Sequence, residues 1–143
     1  MVDRYVDAWE RCDVDAFAAL LVKDATFAMP PLATWYTPRE TIETWAREFS
    51  LSGAWRWRAV LTSANAQPAL AFYAWDDPSS AYLPFALNVL SLRGGLISDV
   101  TAFIVRSIDA PDPEGYVRFP EHPMDRQRLT GTFERFGLAD RLS

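Results

Sequence analysis

Near Trp55 the hydrophobic period of this chain changes from 3.6 residues to 2, and no convincing helical pattern returns before residue 106 or so. That switch is the strongest constraint on the fold. Upstream, Val2, Tyr5, Val6 and Trp9 recur at helical spacing, which predicts an amphipathic helix over Val2 to Arg11. Asp13 offers an N-cap for a second helix carrying Val14, Phe17, Leu20 and Leu21. Ala25 to Met29 reads as a strand stopped by Pro30 and Pro31, which cannot donate to a ladder. Thr37, Pro38 and Glu40 then supply a cap, a first-turn proline and a capping-box acid for a third helix with Ile42, Trp45 and Phe49 on its apolar face.

Downstream the pattern is all strand. Trp55, Trp57, Ala59 and Leu61 share one face, with Arg56, Arg58 and Thr62 on the other. Ala69 to Trp75 and Ala81 to Leu92 follow, and "RGG" turns the chain into Leu96 to Val105. Helices first and adjacent strands afterwards make an α+β domain, its helices packed on one face of a curved antiparallel sheet. The expected division is a domain over 1–106 and an appended segment over 107–143. That segment is a proline-rich loop and a short helix, Met124 to Phe136, ending at Gly137.

Composition narrows what such a domain does. With 143 residues, half of them hydrophobic and 14% aromatic, the chain forms one domain with a substantial core. The aromatics serve either that core or a cavity for a large flat ligand. A net charge of -5 provides no basic stripe, so direct nucleic-acid contact is not expected. No apolar run approaches a membrane span, and "MVDRYVDAWE" lacks signal-peptide character; a cytoplasmic location is expected. Cys12 is the lone cysteine, which excludes an internal disulfide and a multi-cysteine zinc site. Metal, nucleotide and phosphate-loop motifs are absent and no cofactor is expected. His122, the single histidine, has no nucleophile partner by motif.

The stretches "RYVDAWERCDVDAFAALLVKDATFAMPP" and "MPPLATWYTPRETI" give the chain a family resemblance. The first resembles the opening of SnoaL-like, ketosteroid-isomerase-like domains of the nuclear transport factor 2-like superfamily, and the match in element order runs to about residue 105. The second, with the closing "FERFGLADRL", resembles the C-terminal SnoaL-like domain carried by some actinobacterial extracytoplasmic-function sigma factors. The resemblance implies a cone-shaped fold with a deep pocket between sheet and helices, used for catalysis on polycyclic or epoxide substrates or for binding alone. Fold does not choose among these.

Carried over by position, the isomerases' helix tyrosine matches Tyr5 and the acid of their oxyanion pair falls on Asn88. Their catalytic carboxylate falls on Met29, whose thioether cannot take a proton from carbon. The pocket implied is lined by Met29, Trp35, Trp45, Trp57, Phe72, Phe85 and Phe103, with Tyr5 and Asn88 as its polar pair. Strand alternation puts Asp99 on one face with Thr101 and Phe103, the face that the family turns toward the pocket. Buried there, Asp99 replaces the missing base; just after the turn and in water, it has no such role.

Three functions follow from this reading. The first is a ligand-sensing regulatory domain of a sigma factor, which binds a small apolar or aromatic molecule and contacts the sigma core, and through it RNA polymerase. The second is a free-standing cyclase, isomerase or epoxide-hydrolase-like enzyme using Asp99. The third is a homodimer paired through the open sheet face around Arg56 and Arg58.

Overall fold

The computed structural model describes residues 1–30, 35–64, 67–104, 133, 135, 137–139 and 141–143. Three helices, α1 (Val2–Glu10), α2 (Val14–Ala19) and α3 (Arg39–Glu48), lie with six strands: β1 (Leu21–Ala28), β2 (Trp35–Tyr36), β3 (Trp57–Ala64), β4 (Gln67–Asp76), β5 (Ala81–Arg93) and β6 (Leu96–Ile104). The sheet order is β2-β1-β6-β5-β4-β3. The sheet is mixed, since β1 runs parallel to β6 while the other neighbours are antiparallel. This is the α+β arrangement expected from the sequence, with one correction: the sheet is not wholly antiparallel, because β1 enters it alongside β6 in the same direction.

The local reasons are legible. Tyr5, Ala8 and Trp9 form the buried stripe of α1. Cys12 takes a left-handed φ of 53°, turning the chain at once into Asp13, whose side chain accepts from Ala16 N as the N-cap of α2. That helix stops at Ala19, short of the Leu20 and Leu21 assigned to its stripe. Leu21 instead pairs with Ile97, and β1 starts four positions before the expected Ala25. The cap of α3 also differs. Thr37 Oγ1 donates to Ala25 O at 2.8 Å, so Pro38 is the N-cap without a side-chain bond, and no capping box forms. Ile42 and Ala46 are the buried face of α3, whereas Phe49 is its half-exposed C-cap.

Gly94 and Gly95, both at positive φ, close the two-residue turn between β5 and β6. Strand β4 is buried on both faces. Its Leu70, Phe72 and Ala74 join the main core beneath the helices, while Ala69, Ala71 and Tyr73 join a smaller core with Leu87 and Phe133 on the opposite face. A near-continuous apolar run is what a doubly covered strand requires. The proline-rich loop, His122 and most of the expected closing helix lie outside the described residues; Phe133 and Arg135 have helical backbone.

Candidate ligand site

On the helix face of the sheet, α1 and β5 bring Tyr5 and Asn88 together. Asn88 is 2% exposed and lies between Leu70 on β4 and Ala102 on β6. Its Nδ2 donates to Tyr5 Oη at 3.0 Å. A buried amide needs such a partner, because leaving it bare costs about 1–3 kcal/mol. Aromatic rings surround the pair: Tyr5 meets Phe17 at 5.8 Å and Phe72 at 6.1 Å, both edge-on, and Trp9 meets Phe72 at 5.1 Å. Trp57 packs against Trp9 at 5.6 Å and Phe85 at 4.9 Å. Its indole nitrogen donates to Ser50 O at 2.8 Å, which fixes the ring.

Burial drives the Tyr5 hydroxyl well above the ordinary phenol value. Asn88 and Trp9 oppose that rise, and no carboxylate is among its causes. Tyr5 is therefore neutral throughout the physiological range and keeps a proton to donate. Trp9, which the sequence reading left in the helix stripe, also touches this pair. Its Nε1 faces the Tyr5 oxygen closely enough to oppose that rise as a donor, at a geometry looser than a full hydrogen bond. A buried phenol proton beside a loosely held indole donor suits one incoming oxygen. Only the partnering of its indole, which has no sequence signal, distinguishes Trp9 from an ordinary core tryptophan.

Of the other expected lining residues, Met29, Trp57 and Phe72 belong to the same core, and Trp45 and Phe85 pack against it. Met29 is 9% exposed, so the position matched to the family's carboxylate is a thioether in an apolar setting. Trp35 does not join them. It is 59% exposed, and its neighbour Tyr36 stacks on Trp45 at 5.1 Å in its place. Strands alternate, so one of two adjacent aromatics has to face out.

Strand β6 requires a larger correction. Val100, Ala102 and Ile104 take the core side, which turns Asp99, Thr101 and Phe103 to the opposite face, away from Tyr5 and Asn88. Asp99 is exposed and accepts from the Ser98 hydroxyl at 3.0 Å. It cannot serve as a base at the Tyr5 oxygen. The reason lies in the pairing: Val100 sits opposite Leu90 of the main core, and this register fixes every later residue of the strand.

A cavity of about 420 Å³ lies elsewhere, lined by Arg11, Cys12, Asp13, Val14, Asp15, Arg47, Leu51 and Ser52. Its charges are paired within the protein, Arg47 with Asp15 and Glu43, and Arg11 with Asp7. Burial raises the pKa of Cys12, which makes it a poor nucleophile. Among the described residues no three His, Cys, Asp or Glu side chains are grouped to hold a metal, and no helix is long and apolar enough to cross a membrane.

Solved structures first define the class. A ketosteroid isomerase candidate from Kribbella flavida superposes with a TM-score of 0.56 at 22% identity, over 78% of this chain and 79% of that one. A nuclear transport factor 2-like protein of unknown function from Burkholderia xenovorans gives 0.59 at 14% identity, over 80% and 87%. At these identities the likeness is one of fold.

The family follows from the sequence itself: residues 2–100 match the SnoaL-like domain, and the chain belongs to that family. It is also 31% identical over 105 residues to the extracytoplasmic-function RNA polymerase sigma factor SigG of Mycobacterium tuberculosis, which covers 73% of this chain. The match spans 28% of the length of that relative.

Proposed function

We propose that this domain binds a small apolar or aromatic molecule carrying one carbonyl or phenol oxygen, and that it is the regulatory part of a sigma factor. The observation that carries the binding half is the Asn88–Tyr5 pair, buried and neutral among aromatic rings. Asn88 donates to the Tyr5 oxygen, so the Tyr5 proton is available to a ligand oxygen, with Trp9 Nε1 as a second donor. Aromatic faces supply the affinity and the donors supply orientation. Binding rather than turnover is favoured by Met29 at the carboxylate position and by Asp99 on the opposite face.

The regulatory half is supported by the similarity to SigG. In this reading the domain is cytoplasmic, touches the sigma core and alters how the factor engages polymerase. It makes no direct contact with DNA, as its net charge of -5 favours. The test begins with the gene. A reading frame continuing upstream of Met1 into basic, helix-rich sequence is expected, and promoter output from the full product should change when this domain is removed. A stop codon directly upstream, or unchanged output, refutes the sigma-factor half.

A further inference from the structure

Arg11, Arg47 and Arg93 are each held by carboxylates, from Asp7, from Asp15 and Glu43, and from Asp24. Arg56 and Arg58 are held differently, although acids outnumber Lys and Arg 19 to 14 in this chain. Both are exposed, and among the described residues neither enters an ion pair. They flank Trp57, whose ring is in the main core, so both project from the sheet face turned away from the helices.

On that face Trp75 of β4 lies opposite Tyr82 of β5, their rings edge-on at 5.1 Å. The Arg56 guanidinium stands 4.8 Å over the Trp75 ring and 5.9 Å over that of Tyr82, and the Arg58 guanidinium stands 5.6 Å over Tyr82. Arg56 Nη2 also donates to Tyr82 Oη at 3.4 Å. Rings that engage a guanidinium by its face orient it and leave its N–H edge free. An extended chain already lies beside the pair: Tyr82 and Leu142 exchange backbone hydrogen bonds at 2.8 and 2.9 Å, and Arg58 Nη1 donates to Ser143 O at 3.1 Å. That neutral carbonyl leaves both charges uncompensated and most of their donors unspent among the described residues.

We infer that Arg56 and Arg58 form a docking site for an acidic peptide in extended conformation, with carboxylates on alternate residues. Side chains two apart along a strand are spaced by about 6.6–6.8 Å. That is the spacing of the two arginines and also of acids at i and i+2 on an extended partner, so each guanidinium meets one carboxylate. A carboxylate matches the free edge of a guanidinium with two parallel hydrogen bonds. The partner approaches over the face and not along the sheet edge, because at the outer edge of β3 the Ala59 N–H donates to Glu10 Oε2 at 3.1 Å. A small anion can use one guanidinium but not the spacing of two. This site lies on the face opposite Tyr5 and Asn88 and does not depend on a ligand there.

The test titrates the full chain into a fluorescein-labelled peptide, Thr-Glu-Thr-Glu-Thr, and follows fluorescence anisotropy. Saturable binding is expected, weakened roughly fivefold by Arg56→Gln or Arg58→Gln alone, the upper end for an exposed ion pair, and further by the two together. Lysine at either position should not restore it, because an ammonium lacks the planar fork. The peptide Thr-Glu-Glu-Thr-Thr, whose acids point to opposite faces when extended, should bind more weakly. Equal affinity for the two peptides, displacement by acetate at the peptide's own concentration, or unchanged binding to the Arg56→Gln/Arg58→Gln variant overturns the inference. So does the absence of saturable binding. Self-association that the same double variant abolishes, with no peptide bound by the wild type, would assign the pair to a second copy and overturn it as well.

Discussion

Tyr5→Phe removes one oxygen from the interior and leaves the ring contacts with Phe17 and Phe72 in place. Its effect should therefore come from the stranded Asn88 amide, 2% exposed and without its 3.0 Å partner. Leaving such a group bare costs about 1–3 kcal/mol. Asn88→Leu strands the Tyr5 hydroxyl instead and should cost about the same. Together the two changes replace both partners with apolar groups of similar shape, which is nearly neutral. The double-mutant cycle should then give a coupling of about 2–6 kcal/mol, the sum of the two single costs, with the double variant more stable than either single one. Urea denaturation reads this as midpoints that fall in the single variants, recover in the double and keep one slope. Losses that add to within about 0.5 kcal/mol would refute the pairing on which the site depends.

Alkaline stability tests the same group independently. The folded pKa of Tyr5 is raised above its unfolded value near 10, so its contribution is intact below pH 10 and is lost as pH rises beyond it. The loss should approach about 1.4 kcal/mol per pH unit for this one group, and a stability-against-pH curve for Tyr5→Phe should lack it. Asp99→Asn should change stability by less than about 0.5 kcal/mol and leave ligand affinity unaltered in a fluorescence titration, because Asp99 lies on the far face. A loss of binding in that variant would return Asp99 to the site.

How far the sequence reveals the fold can be judged element by element. The change of period at Trp55 separates helices from strands because each period records a buried face, and the doubly covered β4 appears as the run "ALAFYAW". The Gly94–Gly95 turn follows from residues that tolerate positive φ. Tyr5 and Asn88 are found by position within a recognised pattern; the hydrogen bond between them requires the fold. Facing on β6 is not legible, since Val100, Ala102 and Ile104 alternate with a set containing the bulkier Phe103, and only the pairing with β5 decides which set is inside. The packing of the C-terminal residues on the far face is hidden for a related reason. Phe133, Leu138 and Leu142 follow neither period, because they are set by the rows of a sheet already formed.

The central claim is that a ligand oxygen is bound at the Tyr5–Asn88 pair. Quenching of tryptophan fluorescence during titration with a panel of flat aryl ketones and phenols, run on the wild type and on the Tyr5→Phe/Asn88→Leu double variant, tests it most directly. Saturable binding to the wild type is predicted, weakened roughly tenfold or more in the folded double variant, as loss of about 1.4 kcal/mol or more of hydrogen bonding implies. Equal affinity in the two proteins, or no saturable binding across the panel, would contradict it.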